Sequence, residues 1–202
     1  MGIELDIGYG LANLKLNLGD FLAVAQQIAG VTKHREAREA LKASIEEIRK
    51  SCDTAVEVFT PLYALTDEAS FTKNFGNLHA TFKNSYFKNI DAVRTHCTVV
   101  KIHLESLLKN KAWLAGLPIL ERSYTRLQGL CDRWLFQDYT LANEMDAFLK
   151  QIDTLYTELS NLAQSDPSTA FAVLRSCLQQ YEDDFLSLRK QLNALDVLGR
   201  TL

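Results

Sequence analysis

The chain reads as an all-α protein, an elongated antiparallel four-helix bundle with coiled-coil-like packing and an additional short N-terminal helix. Three observations predict this. Apolar residues recur at alternating steps of four and three from Trp113 to Leu162, the heptad seam along which helices pack lengthwise. Comparable seams run from Leu41 to Leu62, from Phe71 to Leu107 and from Phe171 to Leu195. Three prolines and nine glycines in 202 residues leave room for long uninterrupted helices.

Residues 1–32 differ from the rest of the chain. They hold five of the nine glycines and only four charges. Ile3, Leu5, Ile7, Tyr9 and Leu11 alternate, the pattern of an extended lead-in. Asp20 is placed to cap a short helix over Phe21–Ala29, with Gly30 as its stop. This lead segment belongs to the same single domain as the long-helix bundle at 33–202, since a chain of this length suits one domain.

The second helix is predicted from about Lys33 to about Leu65, with Pro61 in its last turns. Asp67–Ser70 supplies capping residues for a third helix that runs to about Asn110. Its seam takes two four-residue steps in succession, Phe82 to Tyr86 to Ile90, a stutter that locally unwinds a supercoil. Gly116 and Pro118 mark the next corner, with Pro118 suited to the first helical position. From there to Gln164 the pattern allows one helix of ~46 residues, about 70 Å at 1.5 Å per residue, or a break near Phe136–Thr140. Asp166 and Pro167 then read as cap and first residue of the last helix, which Gly199 is expected to end. Short corners make sequential helices antiparallel neighbours.

Asp138 is the one polar residue on the Trp113–Leu162 seam. A carboxylate there is costly unless paired or hydrated. Three readings stand open: the helix breaks and Asp138 caps a new start, the stripe is exposed at that level, or Asp138 is buried with a cation and binds something.

Composition narrows the function classes. A formal charge of −3 gives no general attraction to nucleic acid or acidic membranes. Residues 71–112 nevertheless carry seven basic and two acidic side chains, and residues 138–202 carry ten acidic and five basic, as expected of neighbouring helices with complementary flanks. Cys52, Cys97, Cys131 and Cys177 have no metal-ligand spacing. They lie on or beside the seams, as small buried thiols would in a cytoplasmic protein. No apolar stretch is long enough to span a membrane, and the N-terminus has no secretory-signal pattern.

Chemistry is sparsely encoded. Di-metal bundles need Glu-x-x-His pairs; this chain has none, and no glutamate falls on a seam. His96 and His103 are seven residues apart, about 10 Å along a helix, too far to grip one metal ion. His34 and His79 have no evident partners in the sequence. Basic and aromatic residues interleave over Phe71–Phe87, but most of those rings are seam positions, so nucleic acid is not expected. Phosphate loops, nucleophile elbows and EF-hands are absent. No catalytic residue, metal or cofactor is predicted, and no motif assigns the chain to a family.

The expectation is a non-catalytic module for protein–protein interaction, through a protein partner or self-association as a homodimer. The candidate partner-binding residues are Trp113 and Leu114 at the Gly116–Pro118 corner, Phe87 as an aromatic surplus to its seam, and Asp138. Two alternatives are a membrane-acting bundle whose N-terminal segment inserts or docks on lipid, and an enzyme or small-ligand carrier with a cavity in the bundle core.

Overall fold

The computed structural model describes residues 8–114, 118–133 and 140–202. Among the described residues there are six α-helices, one 3-10 turn and no strand: α1 (Gly8–Val31), α2 (Arg35–Tyr63), α3 (Glu68–Lys109), the turn Lys111–Leu114, α4 (Pro118–Cys131), α5 (Thr140–Ser165) and α6 (Pro167–Thr201). The protein is all-α, and its helices share the packing more widely than in a simple four-helix bundle.

Local chemistry sets the helix ends. Asp67 opens α3 with a capping box: its carboxylate accepts the Ser70 N–H at 2.7 Å, and the Ser70 hydroxyl oxygen accepts the Asp67 N–H at 3.2 Å. Asp166 opens α6, accepting the Thr169 N–H at 3.0 Å, with Pro167 in the first turn. Both caps fall where the sequence places them. Pro118 likewise starts α4.

The seams are consumed in one contiguous core. Ile45, Cys52, Phe59, Phe75, Val93, Leu104, Met145, Ile152, Leu159, Leu178, Leu188 and Leu195 are all buried in it. α2, α3, α5 and α6 follow one another as antiparallel neighbours. Ser51 on α2 meets Cys97 on α3, Tyr156 on α5 stacks on Phe75 and Phe82 of α3, and Arg49 on α2 faces Asp196 on α6.

α1 departs from expectation. It is 24 residues long, not the short helix over Phe21–Ala29, and Tyr9–Leu11 are helical rather than extended; Ile3–Ile7 lie outside the described residues. The reason is a seam of helical period, Leu11, Leu14, Leu18, Phe21, Ala25 and Ile28, all buried. Gly10 and Gly19 sit inside the helix and face neighbouring side chains, where a Cβ would come 3.1 Å from Gln151 Oε1 and 3.0 Å from Gln191 Nε2. A Cβ on Gly10 would stand 3.5 Å from the Phe148 Cβ and 3.6 Å from its Cα. α1 thus lies along α5 and α6, with Asn17 bonded to Glu144 at 3.1 Å and Lys15 to Asp184. Asp20 caps nothing; it is an exposed mid-helix residue.

The structure describes α4 as Pro118–Cys131 and α5 as Thr140–Ser165, and the expected choice between one helix and a break near Phe136–Thr140 falls on residues 134–139, outside the described residues. One further boundary resolves. Gly199 does not end α6, which continues to Thr201; a Cβ there would meet the Ile45 side chain at 3.3 Å.

Candidate interaction surface

His79, His96 and the four cysteines are occupied by structural contacts or buried in the core. His79 Nδ1 lies 2.6 Å from Ser160 Oγ, tying α3 to α5, and its ring stacks on Tyr156 at 5.5 Å. Burial, assisted by Lys83, holds the imidazole pKa below its ordinary value. A neutral histidine beside a serine hydroxyl is the start of a nucleophile–base pair. Here His79 Nε2 is buried with no hydrogen-bond partner among the described residues, so no third group orients the ring. The pair fastens two helices.

His96 Nδ1 meets Glu47 Oε2 at 2.7 Å, and Lys50 Nζ meets Glu47 Oε1 at 2.7 Å. This small network joins α2 to α3. All four cysteines are free and buried. Burial pushes the Cys131 thiol up to about 12 and those of Cys97 and Cys177 up to about 11, and it raises Cys52 as well. A thiol held protonated is neither nucleophile nor ligand. Among the described residues no group of three or more His, Cys, Asp or Glu is placed to hold a metal ion. No described helix is long and apolar enough to cross a membrane.

The cavities described are open grooves between helices. One, between α2 and α6, is crossed by the ion pair Arg49 to Asp196 at 3.6 Å, with Arg49 also paired along α2 to Asp53 at 3.1 Å and Asp196 along α6 to Arg200 at 2.6 Å. Another, of about 600 Å³, lies between α1 and α4 and is lined by Asp20, Ala23, Val24, Arg126, Gly129, Leu130 and Arg133.

The sequence-predicted residues fall in different places. Phe87 is 77% exposed on α3, its ring held edge-on to Tyr86 at 5.5 Å. Leu114, in the 3-10 turn, is half-buried against the core. Phe87 sits 22 residues before the end of α3, about 33 Å away along the axis, so it and the Leu114 corner are separate surfaces. Trp113 belongs to the same turn, but its side chain lies outside the described residues, as does Asp138 entirely. The complementary charging of α3 and α5 takes form in Arg94–Asp146 at 3.2 Å.

Two exposed features were not singled out from the sequence. Ile102 on α3 is 61% exposed; it lies off the seam, which alone would have flagged it. Arg122 and Arg126 on α4 and Arg133 just past its end form a basic stripe, legible in principle from their spacing of four and seven.

No protein-family model matches the chain, and no curated protein or solved structure is similar to it.

Proposed function

We propose that this chain is a non-catalytic helical interaction module that binds a protein partner or a second copy of itself through exposed helix faces. The observation that carries the reading is the outer face of α3, where Phe87 and Ile102 stand in solvent. Fifteen residues apart, they are about 22 Å apart along the axis and about 60° apart around it. Large exposed aromatic and β-branched side chains on a rigid helix are suited to helix-on-helix recognition. The finer architecture belongs to the same reading: α2, α3, α5 and α6 act as an elongated antiparallel four-helix frame, and α1 and α4 are added along one part of it. The Trp113–Leu114 corner is a second, separate contact region in this reading. Four unpaired buried thiols favour a reducing, cytoplasmic setting.

The alternatives have less support. A membrane-inserting N-terminus would have to undock α1, whose six seam residues are buried. Exposing that seam to water on the way costs on the order of 10 kcal/mol, at about 1.5–3 kcal/mol for each large apolar side chain. A catalytic or carrier site needs converging polar groups, whereas His79, His96 and the four cysteines are tied up in packing or lie apart.

The test is quantitative affinity capture with the wild-type chain and a Phe87→Ser/Ile102→Ser variant. Partners, or the second copy, recovered by the wild type and lost with the variant support the proposal. Undiminished recovery by the variant contradicts it.

A further inference from the structure

We infer that the groove between α1 and α4 docks an acidic helical segment of a protein partner, an inference that rests on the interaction reading and names the chemistry of one partner. Ile119, Arg122, Arg126 and Gly129 fall within an arc of about 80° on α4, and Arg133, two residues past its end, lines the same groove as Arg126 and Gly129. Ile119 is 53% exposed at one end of this stripe. Neither Arg122 nor Arg126 has an ion pair among the described residues. Arg133 faces Asp20 across the groove at 3.7 Å, with both side chains about two-thirds exposed. The acidic residue of α4, Glu121, lies about 120° round the helix from the centre of the stripe. On the α1 side, the exposed Leu16, Asp20, Ala23, Gln26, Gln27 and Gly30 contribute one charge.

The groove has a floor as well as charged walls. Val24 and Leu130 are buried at its base. At Gly129 nothing stands within 4 Å of where a Cβ would be, so a partner backbone can come close there. Arg122 to Arg133 spans about 16 Å, three turns of a docked helix. Carboxylates repeated at the same steps of four and seven would meet the three guanidinium groups, whose planar forks favour paired carboxylate contacts. An anionic membrane fits less well. Lipid-binding basic clusters carry about four to eight basic residues, and here one of three arginines already faces Asp20.

The probe is a fluorescein-labelled, lactam-stapled helical peptide of about 18 residues, with Glu at the first, fifth and twelfth positions and Leu on the adjoining face. The control carries Lys at those three positions. Anisotropy titrations should show the Glu peptide binding at least about tenfold more tightly, with affinity falling as salt rises. Arg126→Glu/Arg133→Glu should remove the preference, Asp20→Asn should tighten binding by freeing Arg133, and Gly129→Leu should weaken it with charges intact. These substitutions are at exposed positions, and circular dichroism checks that each variant is folded. Equal binding of the two peptides, or affinity unchanged by charge reversal, overturns the inference. So does binding to phosphatidylcholine vesicles with about 30% phosphatidylserine that the reversal abolishes, with no peptide preference; that assigns the face to lipid. Capture lost in Phe87→Ser/Ile102→Ser but intact after charge reversal keeps the interaction reading and removes this groove from it. Peptide discrimination without any captured protein does the opposite.

Discussion

Glu47 Oε2 and His96 Nδ1 stand 2.7 Å apart, and this contact fastens the middle of α2 to the C-terminal half of α3. Burial alone would raise the Glu47 carboxyl, but hydrogen bonds from Lys50 and His96 outweigh it and leave the pKa below its ordinary value. A depressed carboxyl stabilises the fold above its unfolded pKa and loses that contribution as pH falls through the folded value. Glu47→Ala is therefore expected to cost about 1–3 kcal/mol at pH 7, measured by urea denaturation. The difference from wild type should shrink below about pH 4. A penalty independent of pH would contradict the assignment.

The thiols should be inert while the protein is folded. Burial raises all four, Cys131 to about 12, and the thiolate is the reacting species. Titration with a chromogenic disulfide at pH 8 should give no fast phase natively and four equivalents in denaturant. A fast native phase would show a thiol accessible in solution.

Gly10 tests whether α1 is integral. A Cβ there would already touch Phe148 at ordinary contact distance and come 3.1 Å from Gln151 Oε1, so a large side chain has little room between α1 and α5. Gly10→Leu should destabilise by about 1–3 kcal/mol through overpacking and speed hydrogen exchange across α1. Unchanged exchange would mean that α1 does not need this close approach.

The same residue explains where the sequence was legible and where it was not. The seams of α2, α3, α5 and α6 run along each helix with one stutter, in α3, so their buried faces could be read directly, as could the caps Asp67 and Asp166. In α1 the helical seam starts at Leu11, where an alternating run ends, and Gly10 and Gly19 resemble breakers. Nothing local says that a glycine is facing another helix rather than ending its own. Whether 118–164 forms one helix or two was open because the apolar spacing continues across 134–139, which lie outside the described residues. The surface was less legible still. Phe87 stood out as surplus to a seam, but tracing apolar spacing passes over Arg122, Arg126 and Arg133, whose common face matters only once α1 packs beside α4.

Gly76 offers the opposite substitution. It lies in exposed α3 with nothing within 4 Å of a built Cβ. Gly76→Ala should stabilise by up to about 1 kcal/mol, raising Tm by about 2–4 °C for a chain of this size. A lower Tm would show that this turn of α3 is not the plain helix described.

The central claim is that exposed helix faces, and not the interior histidines and thiols, carry the function. Its most direct test is one quantitative capture series comparing wild type, Phe87→Ser/Ile102→Ser, and a variant with His79→Gln and Cys97→Ala. The account predicts that the partner recovered by the wild type is lost with the α3 surface variant and kept by the folded interior variant. Recovery that survives the surface change and disappears with the interior one would contradict it.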